Sequence, residues 1–245
     1  MVGGMNLKKI TNKLILGIGL VLAIGALTPT LTHAAAKSMT TVTSNQVLTT
    51  DGNSRNYLTT GTAPLYSKVP VYKSSKVVTK ATVLKTLSTT ADAGQTYFRS
   101  YRAAETSNGD WYVKVVSFDK TYRGWIFAGT SDPTANPSEV SGGLKPTATF
   151  EESTVPSYFS NTTMYFTTPK ASTLTYVAPD YTQYKVGRNL SATADFYKDP
   201  LTVTKVGTKQ NNRDGNATYY YVIDAAHPQV NGWVKQSDVT TSPAN

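Results

Sequence analysis

Tyr57-Leu58-Thr59-Thr60 and Gly124-Trp125 recur as Tyr165-Phe166-Thr167-Thr168 and Gly232-Trp233, each displaced by 108 residues. Trp111-Tyr112-Val113 begins 13 residues before its glycine, and Tyr219-Tyr220-Tyr221 keeps the same spacing before the second. Leu65, Pro70 and Tyr72 match Leu174, Pro179 and Tyr181 at an offset of 109, so one inserted residue near Ala171 accounts for the change. Self-similarity at a fixed offset marks a chain built from copies of one small unit. A duplicated module points to binding, because catalysis usually needs one asymmetric site.

Within the first copy, short runs of Val, Thr and Tyr are broken by turn residues, which predicts an all-β unit. Thr96 to Arg102 reads as a strand, Thr106-Ser107-Asn108-Gly109 as a turn and Asp110 to Phe118 as the returning strand. Asn-Gly favours a hairpin because both residues accept positive φ. Alternation puts Trp111, Val113 and Val115 on one face, read as core, and Tyr112, Lys114 and Val116 on the other. Tyr122 to Phe127 closes the unit through Gly124. In the second copy Asn211 to Gly215 supplies the turn, Thr218 to Ile223 the strand and Gly232-Trp233-Val234 the close. Lys76 to Ser88 reads as either helical or extended.

The predicted organisation is a leader at 1–34, a flexible lead-in at 35–54 with at most an edge strand near Gln46, and a first unit at 55–130. A linker at 131–162, a second unit at 163–240 and a tail at 241–245 follow. The linker assignment rests on Asp132-Pro133, Asn136-Pro137, Gly142-Gly143 and Lys145-Pro146. It implies two modules that need not dock tightly. A unit of this size buries only about 60% of its unfolded surface, so bulky aromatics are needed for its core.

Lys8, Lys9 and Lys13 precede the apolar run Leu14–Leu27, and Thr32-His33-Ala34 offers small residues for cleavage. This reads as a secretory signal. The alternative, an uncleaved anchor, meets the difficulty that 14 apolar residues fall short of the roughly 20 that span a bilayer. With 0 cysteines, disulfides, thiolate metal sites and thioether-linked lipids are excluded. Export without disulfides fits a Gram-positive cell surface, with attachment non-covalent and no integral span after cleavage.

The formal net charge is +9, and removal of the leader leaves 21 Lys+Arg against 15 Asp+Glu. Residues 55–130 hold 11 cations and 4 anions, residues 131–162 hold 1 and 4, and residues 163–240 hold 8 and 6. The first copy is therefore the electropositive half. Such charge either attracts a polyanionic surface through a salt-sensitive field or serves only solubility. Export argues against nucleic acid as the partner.

Gly61 to Lys68, Tyr97-Phe98-Arg99-Ser100-Tyr101, Lys120 to Trp125, Gly142-Gly143-Leu144-Lys145 and Ala178 to Lys185 stand in that order along the chain. Two β units each closing on Gly-Trp resemble bacterial SH3-like (SH3b) and GW wall-targeting modules. The longer motifs resemble the N-terminal region of lactobacillal surface-layer (S-layer) proteins that anchor through that half. The resemblance covers nearly all of residues 55–240 and the leader. It implies two tandem SH3-like barrels that bind wall polysaccharide or teichoic-acid-type polymer, anionic or neutral, with other S-layer subunits as further partners. Such proteins continue into a Thr/Ala/Val-rich lattice region, and this sequence stops at Asn245. Wall binding is thus the safer implication. The alternatives are a lattice component acting through protein contacts, and a wall glycosidase or other hydrolase.

The residue inventory argues against an enzyme, a cofactor or a metal. Of 2 histidines, His33 lies at the cleavage region and His227 reads as a loop residue beside Pro228. Glycosidases need only two carboxylates, but Glu105 and Glu151-Glu152 lie in turn or linker contexts. Binding is better supplied. Sugar C–H faces pack on aromatic rings, and phosphates accept charge-assisted hydrogen bonds from Arg and Lys.

Tyr97, Arg99 and Tyr101 share one face of a strand and form a basic, aromatic stripe. The competing reading packs both tyrosines in the interior while Arg99 reaches solvent. Tyr112, Lys114 and Arg123 extend the stripe. Tyr72 and Lys73 in the first copy, and Tyr181, Tyr184 and Lys185 in the second, offer similar clusters. Trp125 and Trp233, fixed after glycine in closing strands, read as core, with ligand-facing rings as the alternative.

Overall fold

The computed structural model describes residues 39–167, 173–186 and 191–243. The leader at 1–34, the start of the lead-in, Thr168, Ala171 and the last residues of the tail lie outside the described residues. Met39 to Asn245 form one compact unit.

The first half consists of β1 (Val42–Val47), β2 (Asn56–Thr59), β3 (Leu65–Tyr66), β4 (Val77–Thr79), α1 (Ala81–Thr89), β5 (Phe98–Thr106), β6 (Trp111–Ser117), β7 (Arg123–Gly129) and β8 (Leu144–Pro146). The second consists of β9 (Phe150–Ser153), β10 (Tyr165–Phe166), β11 (Leu174–Thr175), β12 (Ser191–Ala192), β13 (Leu201–Lys209), β14 (Thr218–Asp224), β15 (Gly232–Lys235) and β16 (Val239–Thr240). The ambiguous segment from Lys76 resolves into both forms, β4 and then α1. The fold is all-β with that one α-helix among the described residues, and its first sheet curls through eight strands.

The pairings themselves are duplicated. β5, β6 and β7 form an antiparallel meander, as do β13, β14 and β15. β3 pairs β4 and β11 pairs β12, while β2 pairs β8 and β10 pairs β16. Tyr66 lies opposite Trp125, and Tyr176 opposite Trp233. The edge strand β1 on β5 has its counterpart in β9 on β13.

That last pairing bears out the edge strand expected near Gln46 in the lead-in and corrects the expected linker. β1 stands ahead of residue 55 and β9 inside 131–162, so each copy opens on its own edge strand. β8 closes the first copy and β9 opens the second, with three residues, Thr147 to Thr149, between them. Those three are held as well. The Thr147 amide donates to the Asn56 carbonyl (3.0 Å), the Thr149 hydroxyl to the Thr182 carbonyl (2.6 Å), and the Gln210 amide to the Thr149 carbonyl (3.1 Å).

Each copy has its own core. Tyr57, Leu65, Leu84, Phe98, Val113, Val115, Ile126 and Leu144 pack in the first, and Phe159, Phe166, Leu201, Val222, Val230 and Val234 in the second. Trp111, Val113 and Val115 are buried as the alternation predicts. Trp125 and Trp233 are also buried, at 6% and 5% exposure. Glycine precedes Trp125 for a steric reason: a Cβ on Gly124 would stand 2.7 Å from the Tyr66 carbonyl oxygen of β3.

Burial raises the hydroxyl pKa of Tyr57, Tyr97, Tyr101, Tyr112, Tyr219 and Tyr220, the last to about 12. A folded-state value above the unfolded one means the contribution to stability is whole below pH ~10 and is lost as pH rises beyond it. Alkaline titration followed at the phenolate absorbance should show two classes of tyrosine. The buried class should ionise only together with loss of the β-sheet circular-dichroism signal.

Candidate functional site: the seam between the copies

The copies meet where the segment 91–97 and the β6–β7 turn of the first half face the loop 178–186 and the β13–β14 tip of the second. The tip is built from residues that tolerate left-handed backbone: Asn211, Asn212, Asp214 and Asn216 all have φ between 51° and 58°. Across the seam the Asp214 amide donates to the Asp92 carbonyl (2.9 Å), and Lys209 Nζ donates to the Ala93 carbonyl (3.1 Å). Arg213, wholly buried, donates to the Leu87 carbonyl (3.3 Å) and lies 5.1 Å over the Tyr97 ring. Gly94 (φ +117°) sits under Tyr181, where a Cβ would approach the Tyr181 carbonyl to 2.7 Å. Loose association of the modules is corrected by this interlock.

Tyr97 is part of it and not of an exposed stripe. It precedes β5, is 1% exposed, and its hydroxyl donates to the Gln210 carbonyl (2.8 Å) while accepting from Asn211 Nδ2 (3.2 Å). Its ring tilts against Phe118 (5.7 Å), and Phe118 against Tyr184 (5.7 Å), so an aromatic column runs from the buried seam to the surface.

At the outer end of that column the structure gathers six of the predicted residues. Arg99 lies 5.9 Å and Lys185 5.6 Å from the Tyr184 ring centroid. Arg123 (5.7 Å) and Lys114 (5.9 Å) flank the Tyr101 ring, and Lys114 also reaches the Trp125 ring (5.9 Å). Tyr101 is aimed there by a bulge, since the β5–β6 register shifts between Ser100 and Arg102. A bulge bends the strand and re-aims the extra residue.

The Tyr101 hydroxyl is buried without a hydrogen-bond partner. Burial raises its pKa, with the Arg123 guanidinium working against that shift. Burial likewise lowers that of Arg99, with Arg55 adding to the effect and Asp51 opposing it; Arg99 Nε donates to Asn56 Oδ1 (2.9 Å).

The charge balance differs sharply between the copies. In the second, Lys205 pairs with Glu152 (3.5 Å), Lys209 and Lys235 with Asp214 (3.7 and 3.1 Å), and Arg213 with Asp92 (3.9 Å). Among the described residues, no carboxylate forms an ion pair with Arg99, Lys114, Arg123 or Lys185. Clefts of about 290 and 280 Å³ lie on the two sides of the 178–186 loop. Phe118, Lys120, Tyr181 and Lys185 line one; Asn56, Phe150 and Trp233 line the other, and Gln183 reaches both.

Of the remaining predicted residues, Tyr112, Tyr72 and Lys73 lie apart from this cluster, whereas Tyr181 shares a cleft with Lys185. Tyr112 packs edge-on against Phe127 (5.7 Å) beside Pro70 and Val71. Tyr72 and Lys73 are exposed on the turn after Val69. Tyr181 (φ +53°) lines the first cleft. The sequence reading assigned no site role to Phe118, Lys120 and Gln183, although Lys120 and Gln183 stand inside two of the quoted motifs. They acquire a role only where the two copies dock.

No family model matches this chain, and no curated protein matches it. Among solved structures, the crystal structure of a putative autolysin from Listeria monocytogenes is similar at 13% identity and a TM-score of 0.32, over 82% of this chain and 66% of that one. This chain therefore spans just under two thirds of that structure's length. Among the described residues no helix is long and apolar enough to cross a membrane.

Proposed function

We propose that this chain is a non-catalytic, secreted surface protein that binds a bacterial cell-wall polymer non-covalently through the seam between two SH3-like copies. The observation that carries the reading is the set of four cations without carboxylate partners among the described residues, Arg99, Lys114, Arg123 and Lys185, arranged around the rings of Tyr101 and Tyr184. Cations beside half-buried rings suit a polymer that alternates sugar faces with phosphate or carboxylate groups. The resemblance to S-layer anchoring regions supports the same reading and adds export through the leader and association with other S-layer subunits.

Anionic secondary polymer is favoured over neutral glycan because the cluster offers more unpaired cations than rings. The chain should sediment with untreated walls and lose most of that binding on walls stripped of secondary polymers by acid extraction. Raising the salt from 0.05 to 0.5 M should weaken binding to intact walls progressively, as screening shortens the range of exposed charge. Undiminished binding to stripped walls would move the assignment to peptidoglycan. Release of reducing ends from the walls would favour a hydrolase.

A further inference from the structure

Far from the seam, three side chains of the second copy converge at the opposite end of the β13–β14 hairpin. Asp224 closes β14 and pairs in register with Leu201, which places Asp199, two residues before Leu201, beside it. His227 follows in the β14–β15 connection. His227 Nδ1 lies 2.6 Å from Asp199 Oδ2 and 3.7 Å from Asp224 Oδ2, and all three ligand-type atoms fall within 4.8 Å of one another.

Two features distinguish this group from an ordinary surface ion pair. Asp224 is 1% exposed, and its two oxygens are used differently. Oδ1 accepts the amides of Ala226 (2.8 Å) and His227 (2.9 Å), which fixes the carboxylate, while Oδ2 is buried, faces the imidazole and accepts no hydrogen bond. A buried carboxylate oxygen left without a donor is costly. The imidazole is in turn held by the Phe196 ring at 4.8 Å.

The first copy closes the matching turn with one carboxylate, Asp119, and without an imidazole. Ser117, the residue at the position of Asp224, bonds through its hydroxyl to Asp119 and to the Tyr122 amide (2.9 Å). The carboxylate and imidazole set is thus a difference between the copies and not a requirement of the fold.

We infer that Asp199, Asp224 and His227 form a binding site for one divalent transition-metal cation of the zinc type, clipping the β14–β15 connection to the segment that leads into β13. Imidazole nitrogen with two carboxylates is a ligand set suited to zinc, whose bonds of about 2.0–2.2 Å need these atoms about 3.4 Å apart, an adjustment of roughly 1 Å. Calcium is disfavoured, since it takes 6–8 oxygens. The cation takes the place of the Asp199–His227 hydrogen bond and meets the unsatisfied Asp224 oxygen. Asp199 and His227 are partly exposed, at 26% and 43% of their side chains, which leaves an entry path and room for water ligands. This inference is independent of the wall-binding reading.

The test uses the tag-free chain, because the sequence holds only one other histidine, His33. Zinc alone, added to metal-stripped protein, should bind at one equivalent by calorimetry and raise the Tm by about 5–10 °C at a hundredfold excess over its Kd. The Nδ1 resonance of His227 should report direct ligation. Asp199→Asn and His227→Gln should unfold near the wild-type temperature in chelator and bind zinc at least tenfold more weakly, whereas His33→Ala should bind as wild type does. No rise in Tm up to millimolar zinc, or a rise that survives His227→Gln, would overturn the assignment.

Discussion

Replacing Arg99, Lys114, Arg123 and Lys185 together by glutamine is expected to weaken wall binding by about 30-fold or more while leaving the fold intact. At a partly exposed site each charge contributes on the order of 0.5–1 kcal/mol. Four acting on one polymer give about 2–4 kcal/mol, or roughly 30- to 1,000-fold. None of the four is fully buried or in an ion pair with a described carboxylate, so removing their charge leaves no buried anion behind. A second variant, with Lys68, Lys73, Lys76 and Lys198 changed to glutamine, lowers the net charge equally away from the seam and should weaken binding only a few-fold. Equal losses in the two would mean that net charge, and not this arrangement, governs attachment.

The second large effect concerns Tyr97, where a ligand role and a structural role predict opposite results. Its buried ring lies between Phe118 and Arg213, and its hydroxyl joins the first copy to Gln210 and Asn211 of the second. Tyr97→Ala should destabilise the chain by about 3–5 kcal/mol through loss of buried area and the cavity left behind. For a chain of this size that lowers Tm by about 6–20 °C. Tyr97→Phe removes only the hydroxyl and should cost about 1–2 kcal/mol, with the Gln210 carbonyl and Asn211 amide left to find other partners. Wall affinity of the Phe variant, measured well below its Tm, should stay within about twofold of wild type. A loss of affinity without a loss of stability would return Tyr97 to the ligand face.

Much of the architecture is legible in the sequence because β burial leaves a period-two trace and closing strands need glycine where a neighbour approaches. Trp111, Val113 and Val115 show the first effect and Gly124 the second. The edge strand β1 is legible only in part, as an edge strand near Gln46 in the lead-in, and β9 is not. Val42-Thr43-Ser44-Asn45-Gln46-Val47 and Phe150-Glu151-Glu152-Ser153 bury little, so their apolar signal is weak and they read mainly as lead-in and linker.

Docking is hidden for a related reason. Nothing in the local sequence marks Lys209 and Arg213 as buried, and only the tertiary fold sets them against Asp214, Asp92 and the carbonyls of Ala93 and Leu87. Of the predicted basic and aromatic residues, Arg99, Tyr101, Lys114, Arg123, Tyr184 and Lys185 converge although Tyr101 and Tyr184 are 83 positions apart. Strict alternation from Tyr97 to Tyr101 fails because Tyr97 precedes the strand and turns inward, while Tyr101 stands half-buried at the bulge.

The central claim is that wall polymer lies across the seam, and residue-resolved protection tests it most directly. Lysine and arginine modification followed by mass spectrometry, with and without purified wall polymer, should show Arg99, Lys114, Arg123 and Lys185 protected. Lys68, Lys73 and Lys198 should remain fully reactive. Protection spread evenly over all surface cations, or confined to those outside the seam, would contradict it.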